Sequence, residues 1–513
     1  MAPSIYLINP AERSPGYHSL DVLEAWGIAK AVNFADLSTT TIAALVPRDW
    51  GVAICDERID SVDLETGAEV IGITGKVSQR DRMIELAAAF RRRGKLVVFG
   101  GPYVTLNPED LRPHADIVVR GEIEGIAERL FADIGAGRWE RDYEGARPDL
   151  AGSPIPRWDL YPRRAALTAQ IQTSRGCPFE CEFCDVIQYL GRKQRWKEPD
   201  QVLGELDVLY RLGYRGVFFA DDNFTVMRRR THALLGRVAE WNRTRPAGRM
   251  RFSTQASIDL ARDDALLDLC ADAGLRIVFV GVETPNQDSL AETQKRQNMR
   301  VDLAAEVRKI VRAGVMVTCG IVVGFDHDDL AIFDRQAAFI ETLPVPAISL
   351  SVLVAPFATP LYARMQAEGR LVSHGRVGGG EFLEANFRPK LMTGAQLTQG
   401  AAWLLDRIYA PQAFGRRLEA FVEASPERRA DADEIGFTRP ELLLAERLGR
   451  YGAAEADLVG TFGALARTRP DLRAQLRYLL LFYCQIRFLL EYHGIAGSRP
   501  AGARAQAWAA SGG

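Results

Sequence analysis

Apolar and polar positions fall into two alternating series along the chain. In the first, short apolar runs at Ile5–Ile8 (IYLI), Val52–Cys55 (VAIC), Val70–Thr74 (VIGIT), Leu96–Phe99 (LVVF) and Ile117–Val119 read as buried strands. Helical patterns separate them, such as Arg80–Arg93, which Gly94 ends at a C′ position. Short apolar strands alternating with helices predict a doubly wound parallel sheet over residues 1–140. Ligands of such sheets lie beyond the carboxyl ends of the strands. Gly72, Thr74 and Gly75, then Gly100-Gly101-Pro102-Tyr103, fall at two such ends. Glycines there admit a bulky ligand, but tight βα turns need them equally, so both readings stand.

Residues 141–165 carry four prolines and little periodicity, which marks a linker. The second series follows over residues 166–360. Its expected strands are Leu167–Thr173, Gly216–Ala220, Arg251–Ala256, Ile277–Val282, Val315–Val323 and Ala347–Val354. The helices between them are Pro199–Leu212, Arg229–Trp241, Ala261–Ala273, Val301–Ala313 and Leu330–Leu343. Six β/α units are too few for a closed eight-fold barrel, so a partial (β/α)6 TIM-type barrel is expected. Barrel chemistry sits at the C-terminal ends of the strands. Three cysteines follow the first of these strands, Asp221-Asp222-Asn223 the second, Ser257 the third, Glu283 the fourth and Gly324-Phe325-Asp326 the fifth. Residues 361–495 show helical spacing only, at Thr393–Ile408, Pro411–Ala424 and Leu472–Tyr492. The Ala/Gly/Arg/Ser-rich residues 496–513 read as a disordered tail.

Composition narrows the class. A chain of 513 residues agrees with three domains, and 47% hydrophobic with 25% charged residues is the balance of a soluble globular protein. Lys+Arg 64 against Asp+Glu 66 gives a formal charge of −2, which argues against a nucleic-acid partner. No basic n-region precedes the first strand, so no targeting segment is expected. The late apolar run Tyr478–Cys484 is far short of the ~20 residues that span a bilayer. A thin scatter of seven cysteines points to the reducing cytoplasm rather than to a disulfide framework. Cys319 reads as a small buried residue, with a redox position inside the barrel as the alternative. Phe357, Phe482 and Phe488 read as core, with a greasy substrate pocket as the alternative.

Cys177, Cys181 and Cys184 crowd into eight residues with spacing C-x-x-x-C-x-x-C. Three thiolates on one loop can hold three corners of a 4Fe–4S cluster and leave one iron open for chemistry. Structural zinc needs four ligands, and no fourth Cys or His stands nearby. A redox pair Cys181/Cys184 remains as an alternative, although it leaves Cys177 without a role.

The segment SRGCPFECEFCDVI (174–187) resembles the signature of the radical S-adenosylmethionine (SAM) enzymes. GGPYVT (100–105), VRGE (119–122), DDNF (221–224), QASIDL (255–260), GVETP (281–285) and GFD (324–326) are similar to its cobalamin-binding subfamily. NFRPKLMTGAQLTQGAAWLLDRIYAP (386–411) resembles the C-terminal region of a branch that includes hopanoid methylases. The resemblance implies a Rossmann-like cobalamin domain, a radical SAM barrel and a helical C-terminal domain. It implies a 4Fe–4S cluster on the three cysteines. It places Phe183, Gly324 and Phe325 beside the adenine of SAM, Asp221, Asp222 and Asn223 near its methionine end, and Ser257 and Glu283 by the ribose or methionine moiety. Cobalamin would lie against Gly72, Thr74, Gly100, Gly101, Pro102, Tyr103, Gly121 and Glu122. The chain lacks a D-x-H-x-x-G motif, and Phe34–Ala44 (FADLSTTTIAA) stands where relatives show a Pro-Pro-x-Gly-Leu-like entry.

The implied activity is cobalamin-dependent C-methylation at an unactivated carbon of a small molecule or lipid, with flavodoxin or ferredoxin as electron donor. A radical rearrangement, cyclisation or oxidation without methyl transfer is the nearest alternative. A non-catalytic iron–sulfur electron carrier or sensor is the second. No catalytic side chain is assigned, because the cofactors carry the chemistry.

Overall fold

A computed structural model describes residues 3–372, 382–428 and 437–495, so the expected tail at 496–513 lies outside the described residues. Two compact units divide the chain. The first comprises Met1–Ser14, Val32–Asp222 and Ala355–Gly379, and the second Pro15–Ala31, Asn223–Val354 and Gly380–Gly513.

The first unit holds β1 (Ser4–Asn9), β2 (Val32–Phe34), β3 (Gly51–Asp56), β4 (Val70–Thr74), β5 (Leu96–Gly100), β6 (Ile117–Gly121) and β7 (Asp142–Gly145). Six of these form a parallel sheet in the order β3-β1-β4-β5-β6-β7. Alternating side chains explain why both faces are covered. Tyr6, Ile8, Ile71, Ile73, Val97, Phe99 and Val118 pack on one face with Met83, Leu86 and Phe90 of helix Arg80–Arg91. Ile5, Leu7, Val70, Val98, Ile117 and Val119 pack on the other with Leu130, Phe131 and Ile134 of helix Ala127–Gly135. The expected doubly wound sheet is therefore present. The stretch read as a linker contributes its edge strand β7, paired through Val118↔Asp142 and Gly121↔Gly145. Hydrophobic patterning missed DYEG because an edge strand buries only alternate residues.

Strand β2 does not join that sheet. It pairs in parallel with β8 (Ala166–Ile171), Val32 opposite Ala166 and Phe34 opposite Thr168, and β8 pairs with β11 (Gly216–Phe219). Between them a two-stranded antiparallel ribbon forms from β9 (Ser174–Arg175) and β10 (Arg195–Trp196).

The second unit carries β12 (Arg251–Ala256), β13 (Leu275–Glu283), β14 (Met316–Val323) and β15 (Ile348–Val352), paired in parallel in chain order. Val278, Val280, Val282, Val317, Cys319 and Ile321 are all fully buried on one face. Cys319 is thus a core residue of that face, opposite Val280. The other face holds the less buried Gln255, Phe279, Gly281, Ser349 and Ser351. Beyond the strands, helices Gly394–Ile408, Pro411–Ala424, Arg439–Gly449, Ala453–Thr468 and Arg473–Tyr492 build the C-terminal region. Thirteen of the twenty residues of Arg473–Tyr492 are buried, among them Phe482 and Phe488, and over residues 482–490 this helix is enclosed on all sides. Its Gln485 accepts from the Val22 N–H at 3.0 Å and donates to Gly16 O at 3.0 Å, which ties down the segment 15–31.

Candidate functional site: a three-cysteine loop and the strand ends

Strand β8 ends at Ile171, and the chain turns through Thr173 and Ser174 into the cysteine loop. Asp221, just past β11, fixes this turn. Its carboxylate accepts from Thr173 N at 2.7 Å, Thr173 Oγ1 at 2.6 Å and Ser174 Oγ at 2.7 Å. Asp222 accepts from Gly176 N at 2.8 Å. Burial raises the pKa of Asp221 and pushes that of Asp222 up to about 6. Both aspartates expected around SAM therefore spend hydrogen-bonding capacity on the loop itself. Gly176 takes φ +95°, and a Cβ there would lie 2.8 Å from Lys193 O and 2.9 Å from Gly191 O. Only glycine admits that approach. Cys177 N then donates to Gly191 O at 3.2 Å.

The middle of the loop is held from helix Pro360–Ala367. Arg364 grips Glu182 with two bonds of 2.7 and 2.8 Å, and Leu361 N donates to Glu182 O at 3.2 Å. Cys181 is buried, while Cys177 and Cys184 are half-buried. Burial pushes the Cys184 thiol up to about 12, and the charges of Cys181 and Cys177 add to the rise. Cysteines that ionise on one loop repel one another unless a cation neutralises them. Among the described residues no three His, Cys, Asp or Glu form a group suited to one metal ion. A cubane distributes its ligands over separate corners, and the all-thiolate donor set fits iron–sulfur chemistry.

On the entry side, Arg175 donates to Glu122 Oε2 and Glu124 Oε1, each at 2.6 Å. Arg195 donates to Glu122 Oε1 at 2.6 Å and to Oε2 at 2.9 Å. Sequence reading placed Glu122 against cobalamin, but its carboxylate is occupied by two guanidinium groups. Arg175, Arg195 and Glu124 were not singled out, although Arg175 lies inside the SRGC motif.

The remaining expected cobalamin positions lie at the ends of β4, β5 and β6. Gly72 is a packing glycine, since a Cβ would meet Leu7 Cδ2 at 2.8 Å. Gly101, at φ +104°, approaches Thr74 and Gly75 so closely that a Cβ would lie 2.8 Å from Thr74 Oγ1. Pro102 opens the short helix Pro102–Leu106, and buried Tyr103 donates to Asp110 at 2.8 Å. Gly100 ends β5, and Gly121 takes φ +73° with its N–H on Thr105 Oγ1 at 3.0 Å.

In the second unit, Asn223 Nδ2 donates to Ser257 Oγ at 3.1 Å, and Ser257 also bonds Asp259. Glu283 closes β13 in a left-handed conformation, φ +65°, a strained position for a residue with a Cβ. Its carboxylate folds back over Gly281, whose Cβ would lie 2.4 Å from Glu283 Oε1, and pairs with Lys295 Nζ at 2.6 Å. Asn298 caps the carbonyls of Gly281 and Val282, both at 2.9 Å. A shift of register at Gly281/Glu283 accompanies this arrangement. Gly324, φ +98°, and Phe325 both donate backbone N–H groups to Asp328, at 3.0 and 3.1 Å, and Phe325 is fully buried. Leu397 packs 2.8 Å from where a Gly324 Cβ would stand. Phe183 is half-buried on the cysteine loop.

A thiolate loop at the end of a parallel strand, followed by polar groups at successive strand ends, defines a radical SAM domain. The model of the Radical SAM superfamily matches residues 171–334, and a domain of unknown function matches 359–447. An uncharacterized methyltransferase of Synechocystis sp. is 38% identical over 372 residues, 71% of this chain and 68% of that protein. The hopanoid C-2 methylase of Rhodopseudomonas palustris is 33% identical over 339 residues, 64% of each chain. The chain belongs to the family of these methyltransferases within the radical SAM superfamily. Among solved structures, the radical SAM methyltransferase TsrM from Kitasatospora setae, with cobalamin and a 4Fe–4S cluster bound, matches with TM-score 0.59 at 17% identity. That match covers 92% of this chain and all of TsrM. The cobalamin-dependent enzyme OxsB matches with TM-score 0.61 at 14% identity, covering 96% of this chain and 80% of OxsB. These likenesses establish the fold as a Rossmann-like sheet, a partial barrel and a helical C-terminal region. Among the described residues no helix is long and apolar enough to cross a membrane.

Proposed function

We propose that this protein is a cobalamin-dependent radical SAM C-methyltransferase whose 4Fe–4S cluster is held by Cys177, Cys181 and Cys184. When bound, the cluster, SAM and cobalamin supply reductive cleavage of SAM, hydrogen abstraction from the substrate and delivery of a methyl group. The chain's own residues bind, orient and exclude water. Asp221 and Asp222 hold the loop that presents the thiolates. Asn223, Ser257 and Glu283 offer polar atoms to SAM, with Phe183, Gly324 and Phe325 near its adenine. The ends of β4, β5 and β6, at Thr74, Gly100–Tyr103 and Gly121, offer the surface for cobalamin.

One observation carries this reading: Cys177, Cys181 and Cys184 share one short loop that is fastened at its entry, first cysteine and centre. The methylase relatives support a small-molecule or lipid substrate, and the chemistry draws electrons from a low-potential carrier such as flavodoxin or ferredoxin.

The test is anaerobic reconstitution followed by incubation with reductant, cobalamin and methyl-labelled SAM. Cleavage to 5′-deoxyadenosine, with label passed to a substrate from a host extract, is the expected result. Deoxyadenosine without labelled product would turn the reading to a non-methylating radical reaction. No SAM cleavage at all would leave only an electron-carrying or sensing role.

A further inference from the structure

Two-residue strands do not hold a ribbon together by themselves. The β9/β10 ribbon has a further difficulty, because Arg175 stands directly opposite Arg195 in its register. Like charges facing one another across an antiparallel pair destabilise it, and here the side chains are only 13% and 11% exposed. Glu122 resolves the conflict. Both of its oxygens are bonded to these two guanidinium groups, and its side chain is 6% exposed. Glu124 takes the remaining Nη2 of Arg175, and Gln172 Oε1 accepts its Nε at 2.8 Å. Two carboxylates against two guanidiniums make a neutral buried quartet.

The quartet joins two distinct pieces of the first unit. Glu122 follows the last residue of β6 in the doubly wound sheet. Its backbone has no freedom there, since a Cβ on Gly145 would lie 1.9 Å from Glu122 O and one on Gly121 2.2 Å from Gly145 O. Arg175 precedes Gly176 and Cys177. The first thiolate is thus two residues from a side chain anchored on the doubly wound sheet.

We infer that Glu122 is a positioning residue of the cluster loop, acting through Arg175 and Arg195, and is not a cobalamin ligand. The inference rests on the reading of Cys177, Cys181 and Cys184 as cluster ligands. It adds that the N-terminal sheet sets where the cluster stands. Removing the Glu122 charge leaves two buried guanidiniums facing each other at the root of the loop, and the ribbon opens where the loop begins.

The experiment compares full-length wild type, Glu122→Gln and Glu122→Asp after anaerobic reconstitution. Three quantities are read: the rate of iron loss to a chelator, the EPR spectrum of the reduced cluster with and without SAM, and the Kd for hydroxocobalamin. Glu122→Gln is expected to lose iron about 10-fold faster or more, the scale found for outer-shell partners of metal ligands. It is also expected to blunt the SAM-induced change in the spectrum and to bind hydroxocobalamin within about twofold of wild type, with Glu122→Asp restoring part of the loss. Chelation rate and EPR spectrum identical to wild type would overturn the inference, all the more if cobalamin affinity alone collapsed. Should Glu122→Gln not fold, Glu124→Gln removes one partner of Arg175 and is read in the same way. A wild-type protein that takes up no 4Fe–4S cluster would instead defeat the functional reading on which the inference stands.

Discussion

Asp221 shows how a residue at a catalytic rim can serve the rim's own architecture. It is 1% exposed and receives three hydrogen bonds from Thr173 and Ser174. Asp221→Ala leaves those donors buried without an acceptor and is expected to cost about 2–4 kcal/mol of stability, measurable by urea denaturation of the cluster-free protein. A loss below experimental error would return Asp221 to the SAM site. His18 gives a second test at this scale. It lies against Phe279, Phe482 and Ser349, and burial pushes its pKa down to about 4. An unfolded histidine titrates near pH ~6.5, so between these values the unfolded chain binds a proton that the folded chain refuses. The stability contributed by neutral His18 is present above pH ~6.5 and falls away as the pH drops toward about 4, by up to about 3 kcal/mol. His18→Gln is expected to flatten the dependence of the urea midpoint on pH between about 7.5 and 5. An unchanged slope would assign that dependence to another group. Neither role shows in the sequence, because a carboxylate that binds a ligand and one that staples a turn occupy the same motif position.

Among elements, the strands were legible and their partners were not. Val70–Thr74 carries the expected bounds, and Gly216–Phe219 and Arg80–Arg91 fall within two residues of them, because buried apolar runs and a terminal glycine are local signals. The three-residue β2 has no period to detect, and DYEG at β7 is half polar. The cysteine loop was legible from spacing alone. Its clamps were not, since Glu122–Arg175 and Glu182–Arg364 join residues 53 and 182 positions apart. Helix Gly394–Ile408 carries a quieter long-range constraint. It packs on helix Ile332–Glu341, where a Cβ on Gly400 would stand 2.1 Å from Phe333 Cε2. In an ordinary exposed helix Gly→Ala would stabilise, but here Gly400→Ala is expected to destabilise by about 1–3 kcal/mol, seen as a lower Tm. A rise in Tm would mean that Phe333 yields without cost.

For the whole molecule, the expectation of a sheet domain, a barrel and a helical region agrees with the fold of TsrM and OxsB. The compact units nevertheless do not follow chain order: Val32 onward belongs to the first, whereas Pro15–Ala31 belongs to the second with helix Arg473–Tyr492. Composition and periodicity are read along the chain and carry no record of which distant segments meet. Strand β2 draws a consequence from this for synthesis. Its partner β8 lies some 130 residues later, so at ribosomal rates of ~5–20 residues per second β2 waits on the order of ten seconds for the strand it pairs with. The nascent N-terminal sheet can close while that short strand still hangs unpaired from it. A gene trimmed to begin at the cysteine-bearing half would yield a barrel lacking the strand that shields the outer edge of β8, and that exposed edge would invite aggregation.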